Sequence, residues 1–180
     1  MLLGLHLRKK LINKSNKFIF FYPGNIKQKT GGYIYENNIY EYSKKHNISI
    51  SFEELSDNYP FPTSKDLKYL NNIVANLKSD KIIIFDGLVL EGLAKAKHIF
   101  NNFKTIALIH HPLYLEFHGK KSDNFLKIAK KIYKKVNYFI VTSSDTKKLL
   151  SKKFKINSNI ITIVEPGIEK LKNIKKVLVN

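Results

Sequence analysis

Residues 105–112, with the sequence TIALIHHP, form an apolar run that ends in two histidines and a proline. A short run of this kind, bounded by polar residues and a proline, is typical of a buried β-strand. Six such runs recur along the chain, at Phe18 to Tyr22, Ile48 to Phe52, Ile82 to Phe85, Thr105 to Ile109, Tyr138 to Thr142 and Ile160 to Val164. Apolar strands separated by helices are typical of parallel sheets that are buried on both faces. The sequence therefore predicts an α/β fold, a doubly wound and mostly parallel Rossmann-like sheet with helices on both faces.

Amphipathic helical patterns occupy most of the intervals between these runs. Their apolar stripes are Tyr35, Ile39, Tyr42 and His46; Leu67, Leu70, Val74 and Leu77; Phe125, Ile128, Ala129, Ile132 and Val136; and Leu149, Leu150 and Phe154. Thr63 and Ser64, with Asp66 in the first turn, predict the start of the second helix. Ser144 is the expected N-cap of the last helix.

The composition limits the possible classes of protein. With 180 residues, of which 43% are hydrophobic and 26% charged, the chain is expected to form one domain around a sizeable core. It contains no cysteine, which excludes disulfides, thiolate zinc sites, iron–sulfur clusters and a cysteine nucleophile. No apolar run approaches the ~20 residues of a membrane-spanning helix, and the N-terminus does not resemble a secretory signal. We expect a cytoplasmic location.

The net charge of +18 comes from 32 basic and 14 acidic residues, and Arg8 is the only arginine. Arginine is the residue that reads guanine edges and phosphates through two hydrogen bonds, so the composition argues against a nucleic-acid partner. Abundant Lys, Ile and Asn are what an A/T-rich coding sequence produces. One set of lysines, Lys127, Lys130, Lys131, Lys134 and Lys135, falls on the helix face opposite Phe125. It is either a solvated face or a docking surface for anionic lipid on the inner face of a membrane.

Ligands of open α/β sheets bind beyond the carboxyl ends of the strands, so the residues that follow each strand are the candidates for a site. They are Gly31 and Gly32 before the first helix, Asp86 and Gly87, His110 and His111, Glu116, and Ser143. Each also has an ordinary structural interpretation, as a tight turn, a packed histidine, a solvated carboxylate or a helix cap. Adjacent strand-end residues point to opposite faces, so at most one of the two histidines is expected to face a ligand.

Motifs for other chemistries are missing from the sequence. Neither the Gly-x-Gly-x-x-Gly fingerprint of dinucleotide-binding proteins nor the P-loop pattern is present. Two adjacent histidines are a poor metal pair, and no further ligand stands at a suitable spacing, so we expect no metal. Gly31 and Gly32 could nevertheless expose backbone N–H groups to a phosphate.

Taken in order, several motifs resemble the N-terminal half of a family 4 glycosyltransferase of the GT-B type. They are Thr30-Gly31-Gly32, Lys45-His46-Asn47-Ile48, Phe85-Asp86-Gly87-Leu88, Ile109-His110-His111-Pro112-Leu113-Tyr114-Leu115-Glu116, Val141-Thr142-Ser143 and Val164-Glu165-Pro166-Gly167-Ile168-Glu169. The resemblance implies retaining transfer of a hexosyl group from a nucleotide-sugar to a sugar or lipid-linked acceptor, with the donor as co-substrate and without a metal or other cofactor.

The resemblance also implies roles for the candidate residues. Gly31 and Gly32 would approach the donor diphosphate, and His110 or His111 would act catalytically near the transferred sugar. The acceptor pocket would be shaped by Asp86, Gly87, Glu116 and Ser143. A hinge between domains would contain Pro166, Gly167 and Glu169.

The family has a second domain, which carries the nucleotide site and a Glu-x7-Glu signature that this sequence lacks. We therefore expect a lead-in segment over residues 1–17, a Rossmann-like domain over 18–169, and over 170–180 a linker or the start of a donor domain. On this hypothesis a separate donor-domain chain is the partner. The alternatives are a non-catalytic binding module or gene fragment and, with less support, a basic nucleic-acid-binding protein.

Overall fold

The computed structural model describes residues 16–95 and 99–167 of the chain. It contains six strands: β1 (Phe18–Pro23), β2 (Ile50–Leu55), β3 (Ile82–Asp86), β4 (Lys104–Ile109), β5 (Tyr138–Val141) and β6 (Ile161–Ile163). The helices are α1 (Gly31–Lys45), α2 (Ser64–Ala75), α3 (Gly87–Gly92), α4 (Ile99–Asn102), α5 (Gly119–Ile132) and α6 (Ser144–Lys153). Short 3-10 helices lie at Leu93–Lys95, Leu113–Glu116, Tyr133–Lys135 and Ser158–Ile160.

The six strands form one sheet in the order β2-β1-β3-β4-β5-β6, and every neighbouring pair is parallel. This confirms the predicted α/β fold with a Rossmann-like sheet. The strand order reverses between β1 and β3, so the chain leaves these two strands toward opposite sides. A crevice therefore opens at their carboxyl ends.

Alternate side chains of the strands enter two separate cores. On one face, Ile19, Phe21 and Phe85 pack against apolar residues of α2, α3, α5 and α6. On the other face, Phe20 and Phe52 pack against α1, the helix that carries the N-terminal edge of the crevice. Burial on both faces explains why the strands are continuous apolar runs in the sequence.

Local signals set several element boundaries. Thr63 and Asp66 form the predicted capping box of α2, in which the Thr63 hydroxyl accepts a bond from the Asp66 N–H. The N-cap of α6 is Ser143, not Ser144, because the Ser143 hydroxyl accepts the Thr146 N–H at 3.1 Å.

The second strand begins at Ile50, since Ile48 is exposed in the turn that precedes it. The predicted stripe of α1 is wrong at its end, where Tyr42 is 58% exposed.

The expected lead-in and linker fall mostly outside the described residues, which begin at Asn16 and end at Gly167. The structure therefore describes most of the predicted Rossmann-like domain and leaves the assignments of 1–17 and 170–180 as predictions. Within residues 16–95 and 99–167, no helix combines the length and hydrophobicity needed to cross a membrane.

Candidate active site at the carboxyl edge of the sheet

A cavity of about 670 Å³ lies where β1, β3 and β4 end, at the reversal of strand order. Eight of the residues singled out in the sequence line it: Gly31, Gly32, Asp86, Gly87, His110, His111, Glu116 and Pro166. Five separate strand or helix ends supply them, so the parallel topology brings together residues that are up to 135 positions apart. No lysine or arginine is among the described residues that line this cavity.

The remaining three candidates lie elsewhere. The Ser143 hydroxyl caps α6 and donates to the Thr146 hydroxyl at 3.0 Å, while its neighbour Thr142 lines the cavity. Gly167 lines a second groove, beside α1. Glu169 is outside the described residues.

His110 occupies the inner wall of the cavity. Its backbone carbonyl accepts the Thr146 hydroxyl at 2.8 Å, which ties the end of β4 to α6. Its ring meets the Tyr35 ring edge to face, with 5.4 Å between the centroids. A Cβ atom at Gly32 would lie 3.4 Å from the imidazole, so a glycine allows α1 to approach this closely.

His111 lies at the mouth of the cavity, and its Nε2 is 2.5 Å from the Glu116 Oε1. Both side chains are roughly half exposed, at 49% and 44%. Both histidines therefore line the cavity, contrary to the sequence expectation that at most one would do so. The reason is that the strand ends at Ile109, so the alternation of a strand does not extend through both histidines.

Glu36 is the main residue that the sequence did not indicate. It lies on α1 and is 2% exposed, and a carboxyl oxygen of Glu36 lies within 4.8 Å of one of Asp86. Burial, followed by the charge of Asp86, raises the pKa of Glu36 well above its usual range. Asp86 is also buried, which raises its pKa, but its Oδ1 accepts the Leu88 N–H at 2.8 Å as the N-cap of α3.

Glu36, Asp86 and His110 form the only group among the described residues with the makings of a metal site. One ligand atom of each lies within 4.8 Å of the others. The prediction of a metal-free site assumed that no acidic partner accompanies the histidines, and the fold supplies two. Burial lowers the pKa of His110, although the nearby Asp86 opposes this effect. The group can therefore hold protons as well as a cation.

Comparisons with known proteins place the chain by its fold. No protein-family model matches the sequence, and no curated protein matches it closely. Among solved structures, the chain is similar to Anabaena Alr3699/HepE in complex with UDP and glucose, with a TM-score of 0.51 and 11% sequence identity. The similarity is one of fold.

That match covers 84% of this chain and 45% of Alr3699/HepE. A second structure of the same protein, in complex with UDP, matches with a TM-score of 0.51 and 10% identity and covers 84% of this chain and 44% of that one. The chain thus spans less than half the length of Alr3699/HepE. At this identity the match supports a Rossmann-like fold consistent with one half of a GT-B architecture.

Proposed function

We propose that this chain is the acceptor-side half of a retaining, nucleotide-sugar-dependent glycosyltransferase that works with a donor-binding half on a partner chain. The observation that carries the proposal is the cavity at the switch point, which combines an open helix N-terminus with carboxylates and histidines. Its fold is also similar to that of a protein crystallised with UDP and glucose.

The N-terminus of α1 suits the donor diphosphate. Thr30, the N-cap residue, makes no side-chain hydrogen bond to the first turn, and Gly31 leaves the space around its Cα open. Free N–H groups and the helix dipole favour an anion at such an end. We propose that Gly31 and Gly32 face the diphosphate, and that transfer requires no metal or other cofactor.

The polar and aromatic side chains of the cavity suit a sugar acceptor. Asp86, Glu116 and the two histidines offer hydrogen-bond partners for hydroxyl groups, and Tyr33 and Tyr35 add aromatic surface. On this proposal His110 and His111 stabilise charge as the glycosidic bond breaks, and Pro166, Gly167 and Glu169 form the hinge. Preorganised groups of this kind act most strongly when the cavity is closed to water. A donor half would supply that closure.

The acceptor is a sugar, free or linked to lipid, on this proposal. The five lysines from Lys127 to Lys135 are all exposed on and after α5, so they are available to an anionic membrane surface. A solvated helix face explains the same exposure. Vesicle binding, described in the Discussion, separates the two.

The test combines the purified chain with the purified product of any adjacent reading frame that carries the Glu-x7-Glu signature. Release of nucleoside diphosphate from UDP-glucose and other nucleotide-sugars is measured with and without EDTA. We expect turnover only from the mixture and no effect of the chelator. His110→Ala should lower the rate by at least about 100-fold. Glu41→Gln, an exposed site on α1, is the matched control.

Failure to form a complex or to turn over any nucleotide-sugar would contradict the proposal. If His110→Ala and His111→Ala change stability alone, the chain is a non-catalytic binding module. A steep dependence of DNA binding on salt would instead support the nucleic-acid alternative.

A further inference from the structure

The cavity contains two buried carboxyl groups whose oxygens lie within 4.8 Å of each other. Glu36 is 2% exposed and Asp86 is 4% exposed, and they come from different elements, α1 and the end of β3. The described cavity lining offers no lysine or arginine to balance two negative charges. Two ionised carboxylates this close repel each other strongly when they are buried, so one of them is expected to be neutralised.

A proton neutralises the pair more readily than a cation does. Once protonated, one carboxyl group can donate a hydrogen bond to the other, and burial together with the charge of Asp86 raises the pKa of Glu36. The proton belongs on Glu36. Asp86 accepts N–H groups at the start of α3, which stabilises its charge, whereas Oε2 of Glu36 is buried and has no hydrogen-bond partner in the part of the chain that the structure describes.

His110 completes the arrangement. It lies beside the pair, and its Nε2 is buried without a hydrogen-bond partner among the described residues. Burial lowers the pKa of the imidazole, and the negative charge of Asp86 opposes this effect. The number of negative charges on the pair therefore determines how readily His110 takes up a proton.

We propose that Glu36 is a positioning residue of this site: its neutral carboxyl group donates a hydrogen bond to Asp86, and the pair presents one negative charge to His110. One charge fixes the orientation of the imidazole and stabilises positive charge that develops in the cavity. Two charges would draw a proton or a cation into the site and occupy Nε2. The role in sugar transfer rests on the proposed function, but the proton on Glu36 does not.

The test follows the histidine rings by ¹⁵N NMR across pH in the wild type, Glu36→Gln and Asp86→Asn, with His110→Gln to assign the signals. Gln is a neutral mimic of protonated Glu36, so Glu36→Gln should leave the pKa of His110 within about 0.3 units. Asp86→Asn removes the negative charge and should lower the pKa of His110 by about 1 unit or more. Glu41→Gln, on the same helix and exposed, is the matched control.

The other titratable groups of the cavity do not confuse this comparison. The signals of His111 are followed separately, and Glu116 contacts His111 at the mouth of the cavity. The pKa of Tyr33 is raised to about 12, mainly by burial and then by Asp86, so Tyr33 stays neutral throughout the titration. Tyr35, which packs on His110, also has a raised pKa because it is buried.

Infrared spectroscopy gives a second measurement, for which Glu36→Gln is the only variant needed. The spectrum of the wild type minus that of Glu36→Gln at pH 7 should contain the C=O stretch of a protonated carboxyl group. The inference is overturned if that band is absent, or if Glu36→Gln lowers the pKa of His110 as much as Asp86→Asn does. Stoichiometric binding of Zn²⁺ or Mn²⁺ that both variants abolish would also overturn it, because the pair would then be a cation site.

These outcomes are independent of the proposed function. If no donor half binds the chain, the proposal of a glycosyltransferase fails while the NMR and infrared results stand. If turnover is found, Asp86→Asn should move its pH profile to lower pH together with the pKa of His110, whereas Glu36→Gln should not move it. A shift of the profile by Glu36→Gln as large as that by Asp86→Asn would overturn the inference.

Discussion

The Oε1 atom of Glu91 accepts a hydrogen bond of 2.5 Å from the hydroxyl of Tyr133. The same oxygen accepts the Leu113 N–H at 3.3 Å, so one carboxylate ties α3 to the turn that follows the histidines. Glu91 is 1% exposed, and its Oε2 has no hydrogen-bond partner within residues 16–95 and 99–167. Burial raises the pKa of Glu91 to about 7, although the Tyr133 hydroxyl favours its charged form.

This raised pKa predicts a fall in stability with rising pH. The folded state holds a proton on Glu91 up to about pH 7, whereas the unfolded state loses it near pH 4.5. The free energy of unfolding should therefore decrease by about 3 kcal/mol between these two values. Glu91→Gln keeps an acceptor oxygen and cannot ionise, so its unfolding free energy should lack this contribution. Urea denaturation at a series of pH values checks the difference, and parallel curves for the two proteins would contradict it.

The Tyr35 hydroxyl donates to the Val164 carbonyl at 3.0 Å, across 129 positions of sequence. Tyr35→Phe should lower the unfolding free energy by about 1 kcal/mol, because it removes one hydrogen bond and no apolar contact. It should also speed hydrogen exchange of the Val164 N–H, which bonds to Val141 at the end of β5. Tyr42→Phe on the same helix is the control, since Tyr42 is exposed. Equal effects of the two substitutions would count against the bond.

Gly92 ends α3 against the loop that precedes α2. A Cβ atom there would lie 2.8 Å from Cδ1 of Tyr59, which is 4% exposed, and 3.3 Å from the Pro60 carbonyl oxygen. We expect Gly92→Ala to cost about 1–3 kcal/mol of unfolding free energy because the buried ring must move. Gly31→Ala is the matched control, since nothing lies within 4 Å of its added Cβ. A fully stable Gly92→Ala protein would show that the loop yields easily.

Two adjacent serines have different structural roles at the start of α6, one as a helix cap and the other as an exposed surface residue. Ser143 accepts the Thr146 N–H, whereas the exposed Ser144 is the first residue of α6. Ser143→Ala should lower the unfolding free energy by about 1 kcal/mol, and Ser144→Ala should change it little. The reverse order in thermal or urea unfolding would mean that the helix begins one residue later.

The lysine face after Phe125 predicts vesicle binding if it is a docking surface. Replacing Lys127, Lys130, Lys131, Lys134 and Lys135 by Gln should weaken cosedimentation with anionic phospholipid vesicles by at least about tenfold. The same change at five other exposed lysines, Lys27, Lys29, Lys65, Lys68 and Lys78, alters the net charge equally and serves as the control. Equal losses would identify the first set as an ordinary solvated face.

Most of the fold could be predicted because its decisive signals are local. A strand buried on both faces is a continuous apolar run, as at Ile82 to Phe85, whatever its neighbours are. The capping box of Thr63 and Asp66 is likewise complete within four residues. The errors concern residues whose burial depends on tertiary contacts. The pattern assigned Ile48 to a strand, but Ile48 is exposed in the preceding turn. Tyr42 was expected on the apolar stripe of α1, but no described element covers it.

The sequence predicted where the candidate site lies, but it indicated only some of the residues that form it. The residues that follow strands, such as Asp86 and His110, are indicated by the topology rule for parallel sheets. Glu36 carries no such signal, because a carboxylate inside a helix normally faces water. It is identified only when the helix is placed against β3 and β4. One sequence test would have identified Glu36: a search of α1 for a polar residue on the same helix face as Tyr35 and Gly32.

Because the space around Gly31 is open, a chemical probe can be attached at the entrance of the cavity. The chain has no cysteine, so Gly31→Cys would create a single thiol at a position where a side chain meets nothing within 4 Å. Its rate of alkylation would report whether the entrance is occupied, in solution and without a catalytic assay. A spectroscopic label attached there could follow the approach of a second protein half in real time.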